Sequence, residues 1–182
     1  MNTAEHLELH LGRIERGWSS NSTPDVQICL FAEQPSSGVR TLATLGLSDT
    51  VLSMTDGRKV RQELLMAFDD TQSTATLVRV LLLVAERIHK SRSALLRGDV
   101  VSLWSGFLAG SDAVAVYASM PVVFPAGLAA LNDSVPPTVF VWLFPLLQAE
   151  VEFVRTEGWS EFEDRLESAA PDLCSLHRGS VI

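Results

Sequence analysis

Residues 139–166 read VFVWLFPLLQAEVEFVRTEGWSEFEDRL, and the change of period inside this stretch decides the fold. The first six residues are continuously apolar and rich in β-branched and aromatic side chains, the composition of a buried strand, and Pro145 ends the run. Leu147, Val151 and Val154 follow at helical spacing, and Gly158 closes that helix. Ser160 with Glu163 forms a capping box that opens another. The tract predicts strand, helix, helix, without a recognisable catalytic side chain.

Upstream, residues 4–18 predict an amphipathic helix with Leu7, Leu11, Ile14 and Trp18 on one stripe, Thr3 as its cap and Pro24 as a stop. Residues 26–31, 39–45 and 60–68 predict strands. Pro35, Ser36, Ser37 and Gly38 make a turn between the first two, so these form an antiparallel hairpin. In the third, Val60, Leu64, Met66 and Phe68 alternate with Arg61 and Glu63, which predicts a partly wet face. Residues 73–89 predict a very apolar helix. Its stripe is Leu77, Val80, Leu81, Val84 and Ile88, with Leu82 and Leu83 outside it, so more than one side is covered. Further strands are expected at residues 100–104, 114–118 and 138–144. The strands fall in two groups around one central helix without strict βαβ alternation. That pattern favours a single α+β domain over residues 1–182, with a mainly antiparallel or mixed sheet, an N-terminal helix and two C-terminal helices.

Several of these segments, taken in order, resemble the suppressor of fused family. Residues 41–54, TLATLGLSDTVLSM, resemble its T-x-x-T-x-G-x-S segment with a Met shortly after, and residues 60–68, VRQELLMAF, resemble its v-E-L-l-m strand. Residues 77–101 look like its central helix followed by the L-x-x-G-D-x-v turn, here residues 95–101. The tract from Pro145 to Phe153 is similar to its P-L-x-x-x-E-x-x-F helix, and Arg178 to Val181 is similar to a closing R-x-S-V segment. The matched pieces span residues 41–182. One departure is Leu45, where the family often has a small polar residue. The resemblance implies a suppressor-of-fused-like domain that binds proteins without catalysis. Small bacterial-type members are implied to be immunity proteins that neutralise a toxin domain, whereas animal members bind transcription factors. A short single-domain chain looks more like the former.

Composition sets bounds on partners and compartment. At 182 residues the chain is one domain's length, and a domain of that size buries about 70% of its unfolded surface, so it needs neither metal nor disulfide for stability. Cys29 and Cys174 lack the close spacing of a zinc or redox pair and are expected as buried thiols in a reducing compartment. The N-terminus lacks the basic-then-apolar pattern of a secretory signal, so the cytoplasm is the expected location. Residues 113–132 carry no charge, but Pro121, Pro125 and Gly127 argue against a membrane span there. Net charge is −8, and residues 150–172 hold eight acidic residues against Arg155 and Arg165. Such a surface repels nucleic acid and attracts a basic protein partner.

Few side chains stand at the spacing that catalysis or metal binding requires. His6 and His10 are four apart, but HLELH places Glu8 away from the position that the metalloprotease pattern requires, so surface histidines are expected. Ser48 lies in GLSDT, which lacks the second Gly of a nucleophile elbow; it is expected as a turn or cap residue, leaving a hydrolase built on Ser48 and Asp49 unsupported. Arg97-Gly98-Asp99 reads as a turn into a strand. No cofactor or metal is expected. Trp142 is expected in the core, while Trp159 sits at a corner between helices, where an aromatic side chain can anchor a partner. The expected binding surface is therefore Glu157, Trp159, Glu161, Asp164 and Glu167. The leading expectation is an inhibitory protein that binds a basic toxin domain; the alternative is a scaffold or regulatory adaptor that recognises a peptide segment by strand addition.

Overall fold

The computed structural model describes residues 1–19, 25–69, 71–104, 107–108 and 110–182; Pro24, the expected helix stop, lies outside the described residues. The elements run α1 (Thr3–Leu11), β1 (Arg16–Ser19), β2 (Gln27–Phe31), β3 (Val39–Leu45), β4 (Leu52–Ser53), β5 (Lys59–Asp69), α2 (Thr74–Ser91), β6 (Val100–Ser102), β7 (Ala113–Ser119), β8 (Ala130–Leu131), β9 (Thr138–Leu147), α3 (Gln148–Glu157) and α4 (Trp159–Ala169). The class is α+β with a mixed sheet, as expected.

The main path of the sheet is β1-β2-β3-β5-β9-β7-β6, with β4 pairing on β5 and β8 on β9. All pairs are antiparallel except β5–β9, whose parallel register places Arg61 opposite Thr138 and Leu65 opposite Trp142. The two strand groups join at that pair. Successive side chains in a strand face opposite ways. On one face Ile28, Leu42, Leu64, Met66, Val116 and Leu143 pack with Leu77, Val80, Leu81 and Val84 of α2. On the other, Phe31, Leu65, Tyr117, Phe140, Trp142 and Phe144 pack with Leu7 and Leu11 of α1, Val151 of α3 and Phe162 of α4. Three layers result, and burial on both faces explains why strands such as β9 read as unbroken apolar runs.

Two boundaries depart from the sequence reading by three residues or more, while the others shift by two at most. First, α1 stops at Leu11. Gly12, at φ 85°, caps it through its N–H to Glu8, and Glu15 then donates to the Leu30 carbonyl, drawing Trp18 into β1 beside β2. Asn2, not Thr3, is the N-cap: its side chain accepts from Glu5 N at 2.8 Å, and the Glu5 carboxylate accepts from Asn2 N at 2.9 Å. Second, β9 continues through Pro145 to Leu147. Pro145 pairs with Val116, while its carbonyl accepts from Arg178 Nη2 at 2.8 Å. In a strand the N and C=O of one residue turn to the same side, so the missing N–H faces Arg178 and no ladder bond is lost.

The C-terminal tail is fixed rather than frayed. Glu150, in the first turn of α3, is fully buried and receives Arg178 Nη1 at 2.6 Å and Nη2 at 2.7 Å. The backbone N–H groups of Leu147 and Val181 complete its shell at 3.1 and 3.2 Å. This clamp holds the start of the α3–α4 hairpin. Removing one partner of a buried ion pair leaves a charge without compensation, so Arg178→Met is expected to lower unfolding free energy by about 3–5 kcal/mol. A urea denaturation curve measures it, and an unmoved midpoint would contradict the clamp.

Candidate partner-binding site

Gly158, at φ 97°, ends α3 and begins α4, so the two helices meet at a tight corner. Phe162 is the buried anchor of α4 and lies against Tyr117, with ring centroids 5.3 Å apart. The expected capping pair is not formed. Ser160 lies inside the first turn, and Glu163 instead accepts from the Arg97 guanidinium and, at 2.9 Å, from the Tyr117 hydroxyl. Sequence spacing alone could not reveal a partner 66 residues away. Arg97 also lies over the Trp159 ring, 4.8 Å from its centroid. Trp159 in turn covers Gly98, where an added Cβ would meet Trp159 Cγ at 2.6 Å and where φ is +95°. The Arg-Gly-Asp triplet is thus an internal turn, closed by Leu96 N donating to Asp99 Oδ2 at 2.8 Å.

Beside this corner lies a cavity of about 530 Å³, with Trp142 and Phe144 in its lining and Trp159, Met120 and Val122 around it. A second, of about 500 Å³, shares Arg97, Ser119 and Met120 with the first. They lie where β9 changes neighbour: β7 ends at Ser119 opposite Trp142, and β8 resumes with Ala130 opposite Val139. Between those strands the chain leaves the sheet and exposes Met120, Val122 and Val123.

All five expected binding residues are exposed. Trp159, Asp164 and Glu167 line the larger cavity; Glu161 stands elsewhere on α4, and Glu157 ends α3. Two of the eight acids of residues 150–172 do not belong to the free surface, because Glu150 is matched by Arg178 and Glu163 by Arg97. The charge run alone did not reveal this. Sequence reasoning also missed Arg97, Met120 and Val122; the apolar residues following a β-strand were the available signal. Trp142 is core, as expected, yet its indole N–H has no hydrogen-bond partner among the described residues.

Glu63 corrects another expectation: it is fully buried rather than on a wet face. Its Oε1 accepts from the N–H groups of Gly46 and Ser48, both at 3.0 Å, and its Oε2 accepts from the Thr44 hydroxyl at 2.5 Å. Thr44 Oγ1 itself accepts from Leu64 N at 2.7 Å. Gly46 makes the turn possible, since its φ is +102° and a Cβ would stand 2.1 Å from the Asp25 carbonyl. Burial pushes the Glu63 carboxyl up to about 7, with the donors from Thr44, Ser48 and Gly46 opposing it. Ser48 is a turn residue, as expected, and its hydroxyl meets Thr3 at 3.5 Å. His6 is buried, not at the surface. It stacks on Phe140 at 5.0 Å and approaches the Leu128 carbonyl at 3.3 Å, because α1 lies on the sheet with that side inward. Burial, and then His6 beside it, push the His10 imidazole down. Among the described residues, no group of three or more His, Cys, Asp or Glu is placed to hold a metal ion. No helix among them is long and apolar enough to cross a membrane. Cys29 is buried and Cys174 half-buried; both are free thiols, pushed up to about 11 chiefly by burial.

The sequence profile described as Suppressor of fused protein matches residues 22–179. Immunity protein YqcF of Bacillus subtilis (strain 168) is 23% identical over 175 residues, covering 93% of this chain and 88% of that protein. A crystal structure of a suppressor of fused homologue from Neisseria gonorrhoeae FA 1090 superposes with a TM-score of 0.79 at 17% identity, covering 98% of this chain and 93% of its own. The Sufu-Fu complex gives 0.75 at 11% identity, covering 97% of this chain and 89% of the matched one.

The Glu63 network has a pH signature. Folded Glu63 binds its proton up to about pH 7, whereas the unfolded chain releases it near 4.5, so this contribution is full below 4.5 and is lost as pH rises through about 7. Glu63→Gln is expected to remove that slope, and to reduce stability by about 1–3 kcal/mol because its amide meets donors. Denaturation midpoints measured across the window test it; an unchanged slope would overturn the assignment.

Proposed function

The chain belongs to the suppressor of fused family, and from that membership we propose that it is a non-enzymatic binding protein that neutralises a toxin domain in the cytoplasm. The observation that carries this reading is the likeness, over 93% of the chain, to a protein named as an immunity protein. Its partner is a protein, and a basic one. On residues 150–172, six acids remain exposed against Arg155 and Arg165, an arrangement that attracts a positively charged domain and hastens encounter. Glu157, Trp159, Glu161, Asp164 and Glu167 form the binding face in this reading.

The alternative adaptor role has a specific feature in its favour. β1 is a mostly exposed edge strand that pairs only with β2 among the described residues, so its other side can accept an added strand. Salt separates the two. Steering by exposed acids weakens with screening, while strand addition changes little.

Co-expression with the toxin-like product of a neighbouring gene tests the reading directly. The chain is expected to restore growth and to co-purify with that product. Its association rate is expected to fall by about tenfold or more as ionic strength rises from low to physiological and beyond. Growth arrest despite full expression, with no complex formed, would refute neutralisation. A complex whose rate is independent of salt would favour the edge-strand role.

A further inference from the structure

The geometry points to the groove between α4 and the connection from β7 to β8 as the seat for one apolar side chain of the partner, carried on a segment flanked by Lys or Arg. This inference rests on the protein-binding reading and specifies what the partner must bring.

Three independent observations converge on the groove. The apolar surface is unusual for an exposed site: Met120 is 50% exposed, Val122 73% and Trp159 42%. These side chains surround a cavity of about 530 Å³, room for a single large aliphatic or aromatic side chain. Such a concave apolar patch, centred on Trp, is the setting in which interface anchors bind.

The rim is charged, and its charge is not compensated locally. Asp164 and Glu167 line the cavity and Glu161 lies on the same helix; none has an ion-pair partner among the described residues. The cation in the cavity lining is already committed, since Arg97 is held by Glu163 and by the Trp159 ring. Arg165 turns toward Phe153 of α3, with 6.0 Å between its guanidinium and the ring centroid. A flanking Lys or Arg on the partner would therefore meet unopposed carboxylates. An acidic segment, a phosphate backbone or an anionic lipid surface would be repelled.

The third observation is the aromatic lining of the cavity, where Trp142 and Phe144, each 1% exposed, offer ring surface to an entering apolar side chain. The groove is also pre-formed: Glu163 ties α4 to Tyr117 of β7, and Trp159 is seated on Gly98. Little ordering is needed on binding.

The test has two arms. In the first, capped hexapeptides with a central Leu-Phe pair between lysines, or between glutamates, are titrated to about millimolar while the four indole N–H signals are followed by NMR. The lysine peptide is expected to shift Trp142 and Trp159 and to leave Trp18 and Trp104 in place; the glutamate peptide is expected to shift none. In the second arm, Trp159→Ala and the triple variant Glu161→Lys, Asp164→Lys, Glu167→Lys are assayed against the neighbouring-gene product, with circular dichroism confirming the fold. A loss of affinity of about tenfold or more in both variants supports the groove. Parent-like binding by both overturns it and leaves the neutralising role intact. If the parent itself binds nothing, the neutralising role fails, and the peptide arm alone decides the groove: shifts at Trp142 and Trp159 uphold it, and their absence overturns it.

Discussion

The parallel pairing of β5 with β9 is the constraint on which the rest of the molecule depends. Parallel neighbours cannot be joined by a tight turn, so the chain must cross over between them. Here the crossover carries α2 and the strands β6, β7 and β8. α2 covers one face of the joint, while α1, α3 and α4 contribute to the cover on the other. Eight of the ten residues of β9 are consequently buried, which is why this strand reads as apolar throughout. Beyond Leu65 and Trp142 the two strands part. The tail then enters, with Asp69 N donating to the Cys174 carbonyl at 3.2 Å and Arg178 reaching Glu150. Tail and helical hairpin are thus set by where the parallel ladder stops.

Two buried carboxylates hold the ends of this arrangement by different physics. Glu150 is met by a guanidinium in fork geometry and by two backbone N–H groups, so its charge is balanced where it is buried. Glu63 has backbone and hydroxyl donors but no cation among its hydrogen-bond partners. Dipoles oppose its desolvation without fully offsetting it, and its proton is released only near neutrality. Charge balance fixes the tail, whereas a ring of donors fixes the turn after β3.

Much of this was legible in the sequence, for physical reasons that also mark the limits. The boundaries of β3, the turn at Pro35 to Gly38 and the body of α2 follow from local pattern, because their side chains answer to a periodic core. Glu63 and Glu150 read as wet because a carboxylate in an alternating strand or a helical first turn usually is. Their partners, Thr44 and Arg178, lie 19 and 28 residues away and carry no local signal. The family motif residues Thr44, Gly46, Ser48 and Glu63 prove to be one hydrogen-bonded unit, so that segment of the resemblance is a folding device. At the candidate site, the acids of α4 and Trp159 were visible from charge and from the corner at Gly158. The groove was not, because it arises from a change of sheet partner along β9 that only the tertiary register defines.

That division has a consequence for recognition. Exposed carboxylates act over roughly a Debye length, about 8 Å at physiological ionic strength, and raise the rate at which a basic partner arrives. They distinguish poorly among basic proteins, since any positive surface answers to them. The apolar recess acts only at contact. In the proposed binding mode a side chain that fits between Trp159 and Met120 would slow departure, and an ill-fitting one would leave part of the recess unfilled. Because affinity differences among related complexes lie mostly in the rate of leaving, specificity among members with similarly acidic helices would then reside in the recess. Substitutions that reshape residues 120–125 would change which partner is held, while substitutions on the outer face of α4 would change how fast every basic partner is found.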